Sequence, residues 1–139
     1  MKTGRYIFVI IAFVSFAFSA GCSKEKHELK DNIWKVESMK VHADSTLRYY
    51  KQDDYRRNSV TLSFPRMGEY GFGVCQGKVR FGNNNSIEFK CTYRFYILDS
   101  PFAEECYQLI EEINTYKISK DKLTLTGDNG VVINLIKQQ

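Results

Sequence analysis

Histidine, the usual acid, base and metal ligand near neutral pH, occurs only twice in 139 residues, as His27 and His42. No HExxH, CxxC or GxSxG pattern accompanies them. Zinc-dependent and nucleophilic hydrolase chemistry therefore finds no support, and the chain reads as a non-enzyme without catalytic residues, metal or cofactor. The acidic pairs Asp53-Asp54 and Glu111-Glu112 are adjacent in sequence, a spacing that does not aim two carboxylates at one atom. Gly71-x-Gly73 followed by Gly77 opens no helix, so its N–H groups would not converge on an anion. Bends in a curved sheet explain these glycines better.

A long apolar run is also missing. The most apolar stretch, Tyr6 to Ala20, has 15 residues, short of the roughly 20 that a membrane-crossing helix needs. Preceded by Lys2 and Arg5, it reads as a secretory signal. It ends in Ser19-Ala20-Gly21-Cys22, which resembles a bacterial lipobox, where the cysteine thiol is acylated and becomes the new N-terminus. Ser19 stands where Leu is usual. Residues 1–21 are thus expected to be a lipoprotein signal peptide and Cys22 the lipidation site, with the membrane reached through the N-terminal lipid. A mature lipoprotein carries several acyl chains, which makes attachment durable where one would be marginal.

Charge of one sign is scarce as well. Without residues 1–21 the chain keeps 18 Lys and Arg against 16 Asp and Glu. Such a balance excludes a basic nucleic-acid binder. Residues 22–31 are polar and mostly charged and read as a flexible tether, and residues 32–139 are the size of one domain.

Within that domain short strands alternate with turn residues. Ile33 to Val41 opens the series with Trp34 and Val36 on one face, and Val60 to Phe64 stops at the turn Pro65-Arg66-Met67-Gly68. Tyr70 to Val74 and Lys78 to Phe81 follow, bent at Gln76-Gly77. The segment from Ser86 to Leu98 puts Ile87, Phe89, Cys91, Tyr93, Phe95 and Ile97 on one line, six expected inward positions. Then the period changes. Phe102, Cys106, Leu109, Ile110 and Ile113 make one helical stripe, with Ser100 as N-cap, Pro101 in the first turn and Glu104 and Glu105 beside the unpaired N–H groups. This predicts a helix of about 12 to 14 residues. Strands resume at Thr115 to Ser119, Lys122 to Thr126 and Val131 to Lys137, and Asp128-Asn129-Gly130 reads as a hairpin whose Asn and Gly accept positive φ. The fold class is mainly β (α+β): a small, strongly curved antiparallel sheet or partly open barrel of about eight strands, with one helix packed on it.

One stretch lacks core-forming residues. His42 to Asn58 holds three tyrosines, four cationic and three acidic residues but almost no aliphatics. It reads as a long surface excursion, either solvated or a binding loop in which Tyr49, Tyr50, Arg56 and Arg57 would meet a partner.

A family resemblance rests on Trp34, on Gly73-Val74-Cys75-Gln76-Gly77, on Cys91-Thr92, on the acidic-start helix Glu104 to Ile113 and on the closing YKISKDKLTLTGDNGVVINL. Together these resemble the META/HslJ-like domain of bacterial lipoproteins and stress proteins, over about residues 32 to 137. Tyr116, Ile118, Leu123, Leu125, Gly130 and Leu135 occupy the family's closing pattern, whereas Val74-Cys75-Gln76 stands where Gly-Cys-Asn is usual. The resemblance implies a curved β structure covered by one helix, exported to the envelope and by the family's habit sorted to the outer membrane of a Gram-negative bacterium, without established enzymatic activity.

With Cys22 assigned to lipid, Cys75, Cys91 and Cys106 are left in a compartment that permits disulfides. Cys75 and Cys91 lie on strands close in sequence and are the expected pair, closing a short loop worth on the order of 3 kcal/mol. Cys91 with Cys106 is the rival pairing. The functional expectation is a non-enzymatic envelope lipoprotein with a possible envelope protein partner. The alternative is a lipocalin-like carrier whose sheet encloses a small apolar ligand, for which a domain holding a helix leaves little room.

Overall fold

The computed structural model describes residues 24–49, 60–95 and 101–139. Nine strands form one antiparallel sheet: β1 (Trp34–Lys40), β2 (Arg48–Tyr49), β3 (Thr61–Ser63), β4 (Glu69–Phe72), β5 (Cys75–Phe81), β6 (Ile87–Arg94), β7 (Ile113–Ser119), β8 (Lys122–Gly127) and β9 (Val132–Lys137). Their order is β6-β5-β4-β3-β1-β9-β8-β7, and β2 pairs with β1 off this path. The sheet curls until its two outer strands touch. Ser86 bridges to Thr115, and the Tyr116 N–H donates to the Asn85 carbonyl at 3.0 Å. The expected curved, partly open barrel with a helix is what the chain forms.

Two helices sit toward opposite ends of β1. Residues 24–31 form α1, whose Leu29 is fully buried and whose Leu29 carbonyl accepts the indole N–H of Trp34 at 3.0 Å. A buried indole must satisfy that donor, and α1 supplies the partner. Glu28 pairs with Lys137 at 3.1 Å, and Lys26 and Lys30 lie over the ring of Phe81 at 5.1 and 5.5 Å. Most of the expected tether is thus a docked helix, because Leu29 has an apolar site to fill. Cys22 and Ser23 lie outside the described residues.

At the other end, α2 (Pro101–Leu109) runs into a 3₁₀ turn, Ile110–Glu112. Its buried side chains are Phe102, Ala103, Cys106, Tyr107 and Leu109, the stripe that the sequence period predicts with two more residues added. Tyr107 stands edge-on to Phe72 at 5.7 Å, and Tyr70 meets Phe89 in the same way at 4.9 Å. These rings, with Trp34, Leu62, Ile110, Leu123, Leu125 and Ile133, fill the concave side of the sheet.

Two local expectations need correction. The bend between β4 and β5 falls at Gly73 and Val74, while Gln76 and Gly77 lie within β5, where the ladder shifts register. Gly73 has φ +56°, and a Cβ there would stand 2.2 Å from the Tyr107 hydroxyl, so both backbone and helix packing demand glycine. In the β8–β9 loop only Gly130, and not Asn129, has positive φ. The pair of left-handed residues that a primed hairpin turn uses is Asn84-Asn85, between β5 and β6. No helix among the described residues is long and apolar enough to cross a membrane.

Candidate functional site

Cys75 and Cys91 are joined by a disulfide across β5 and β6, the expected pairing, and Cys106 is a free, buried thiol. The bond straddles an irregularity in the ladder. Cys91 opposes Gly77 and Tyr93 opposes Gln76, so Thr92 is an extra residue on β6. Its hydroxyl donates to the Gln76 carbonyl at 3.3 Å. A one-residue bulge reverses which way later side chains face. Ile87 and Phe89 are buried and Cys91 packs against the core, as alternation predicts. Beyond the bulge Arg94 takes the inward side, pairs with Glu104 and lies 5.6 Å from the Tyr107 ring centre. Tyr93 and Phe95 turn outward, 57% and 42% exposed. The expected line of six inward residues therefore ends at Cys91, and Ile97 lies outside the described residues.

The exposed Tyr93 borders a trough on the convex face. Register places Ser63 opposite Gly71, Gly71 opposite Gln76, and Gln76 opposite Tyr93, one row across four strands. Gly71 contributes no side chain, so the row dips in its middle. The resulting trough has a volume of about 640 Å³, and a second groove one of about 580 Å³. That second groove lies near the seam where the sheet ends meet, with Glu88, Glu111, Glu112 and Asp128 on its walls. Glu111 is already engaged there, because its carboxylate accepts the Cys91 N–H at 2.8 Å. No group of three or more metal-ligating side chains occurs among the described residues.

The polar excursion is partly structured. Its start folds back on itself, with Ser45 Oγ accepting the N–H groups of Val41 and His42 at 3.1 Å each. The N–H of Ala43 donates to the Asn129 carbonyl at 3.1 Å. Arg48 and Tyr49 then pair with Met39 and Ser38 as β2. Arg48 also forms an ion pair with Glu105 of α2 and lies 6.0 Å from the Phe102 ring centre. Tyr49 points to solvent, 58% exposed. Tyr50, Arg56 and Arg57 lie outside the described residues, so the structure locates one of the four expected partner-binding side chains.

No family model matches the chain, and no curated protein does. Solved structures do share its fold. An NMR structure of a Burkholderia xenovorans protein superposes with a TM-score of 0.64 at 17% identity, over 81% of this chain and 86% of that one. A crystal structure of a DUF4847 family protein from Bacteroides vulgatus superposes with a TM-score of 0.58 at 10% identity, over 80% of this chain and 96% of the other. Identities this low speak for the fold alone.

The buried groups have chemical consequences of their own. Cys106 Sγ lies 3.4 Å from Met39 Sδ, and burial, reinforced by Glu105 and opposed by Arg48, pushes its thiol up to about 12. A thiol held in that state is a packing group and not a nucleophile. Burial, with Glu111 adding to it, likewise raises the Tyr70 hydroxyl above the ordinary phenol range. Sequence reasoning missed the trough because its aromatic rim depends on a bulge. The only available signal was Gly77, whose missing side chain admits the β6 backbone: a Cβ there would stand 1.9 Å from the Lys90 carbonyl oxygen.

Proposed function

We propose that the chain is a non-enzymatic lipoprotein domain of the META/HslJ-like type, held at the cell envelope by lipid on Cys22, in a Gram-negative bacterium at the outer membrane. It works by gripping an envelope protein, in a stress-related role. The observation that carries this reading is the presentation of Tyr49. Strand pairing to β1 and the Arg48–Glu105 ion pair fix the backbone and the neighbouring side chain, while Leu47 and Tyr49 stay exposed. A rigidly mounted, solvent-facing tyrosine loses little freedom on binding, which suits a contact residue.

A carrier of an apolar ligand would need an empty interior. The ring pairs Tyr70–Phe89 and Phe72–Tyr107 and the buried face of α2 occupy that space, which supports the binding-module reading over a lipocalin-like one. The test is a photo-crosslinking amino acid at position 49 of the full-length protein in its parent cell. One discrete protein adduct is expected. Absence of any adduct, together with an apolar small molecule copurifying in native mass spectrometry, would reverse the assignment.

A further inference from the structure

The convex trough bordered by Tyr93 is distinct from the surface around Tyr49, and its chemistry is more specific. Tyr93 and Phe95 meet edge to face, with centroids 4.9 Å apart and planes at 87°. In that arrangement one ring's edge meets the other's face, and Tyr93, more than half exposed, lines the trough. Along the same row lie the neutral groups Gln76 and Ser63, with the Thr92 hydroxyl next to them. In the adjoining row Lys78 stands opposite Lys90 on one side and Glu69 on the other. Two like charges facing each other across a ladder are unfavourable unless something else compensates them. Among the described residues neither lysine makes an ion pair, and neither does Arg66 at the end of the trough.

We infer that this trough is a binding site for an acidic saccharide, a sugar chain bearing carboxylate or phosphate groups. An open aromatic face attracts the weakly positive C–H face of a pyranose ring. The Gln76 amide and the Ser63 hydroxyl can both donate and accept, as sugar hydroxyls require, and the Thr92 hydroxyl, whose proton goes to the Gln76 carbonyl, can accept. Lys78 and Arg66 on its walls, with Lys90 beside Lys78 in the neighbouring strand, outweigh the one lining carboxylate, Glu69, and supply the charge that an acidic substituent would neutralise. An extended acidic peptide is a poorer fit, because a strand laid across the face of a sheet gains no backbone ladder, which only an edge offers. The volume suits a short oligosaccharide.

The experiment is calorimetric titration of the full-length protein in detergent with trigalacturonate, phosphorylated maltotriose, unmodified maltotriose and hexaglutamate. Binding of trigalacturonate or of the phosphorylated sugar, and not of the other two, is expected, and which of them binds identifies the acidic group. Tyr93→Ala should weaken that binding about tenfold or more, whereas Tyr93→Phe, which keeps the ring, should stay within about twofold. The double variant Lys78→Gln, Lys90→Gln should weaken it by a similar factor without lowering the thermal midpoint. No binding of either acidic sugar, equal binding of the neutral one, binding of hexaglutamate alone, or indifference to Tyr93→Ala would each overturn the assignment.

Discussion

Cys91 and Tyr93 stand two residues apart on β6, yet one side chain is tied into the core through Cys75 and the other lies on the convex surface. Regular alternation would place them together. Thr92 is the extra residue that separates them, and the disulfide is bonded directly beside it.

Removing the disulfide should therefore cost stability. The bridge spans 16 positions, and closing a loop of that length is worth about 3 kcal/mol in the unfolded chain. The double variant Cys75→Ala, Cys91→Ala is expected to lower the urea midpoint accordingly. Non-reducing peptide mapping of the wild type should link Cys75 to Cys91 and leave Cys106 alkylatable only after unfolding; a Cys91–Cys106 peptide would contradict the structure.

The helix α1 should behave as part of the domain. Leu29→Ala removes a fully buried side chain and is expected to cost about 2 to 5 kcal/mol by chemical denaturation. A loss below about 0.5 kcal/mol, the range of exposed positions, would return the segment to the status of a tether.

Gly73→Ala meets both a left-handed backbone and the Tyr107 ring. Overpacking of this kind costs about 1 to 3 kcal/mol, with the φ penalty added. Gly68→Ala, also at positive φ but with open space around it, should cost the φ penalty alone. Equal midpoints for the two variants would mean that Tyr107 does not pack on the turn.

Alkaline pH should weaken the fold through Cys106. Its folded value of about 12 lies above the ordinary 9.0, so the folded state holds the proton more tightly than the unfolded one. The stability this represents is complete below pH 9 and is lost as pH rises from there toward 12. Tyr70 acts in the same direction at higher pH. Cys106→Ala should flatten the fall of the urea midpoint between about pH 9 and 11, and an unchanged slope would assign the effect elsewhere.

Periodicity carried most of the architecture. The helical stripe from Phe102, the strands from Thr115 onward, the inward positions Trp34, Val36, Leu62 and Phe89 and the Cys75–Cys91 pair are all consequences of spacing that two or three neighbouring residues reveal. What escaped depends on contacts between distant segments. Leu29 looks isolated among charges until β1 brings Trp34 beneath it, and Thr92 looks like any strand residue until β5 is laid alongside. Arg48 and Tyr49 resemble loop until the free edge of β1 gives them a partner.

The placement of α1 and α2 gives the domain a top and a bottom. β1 spans about 17 Å between them, from Trp34 under α1 to Met39 under α2. Lys24, where α1 is first described, is two residues from Cys22, a reach of at most about 7 Å. With lipid at Cys22, the α1 end would rest close to the headgroups, where Lys24, Lys26 and Lys30 favour anionic lipid. Tyr49 and Tyr93, both near the α2 end, would then be held outward like instruments on a short mast, at a fixed height above the bilayer and facing whatever passes there.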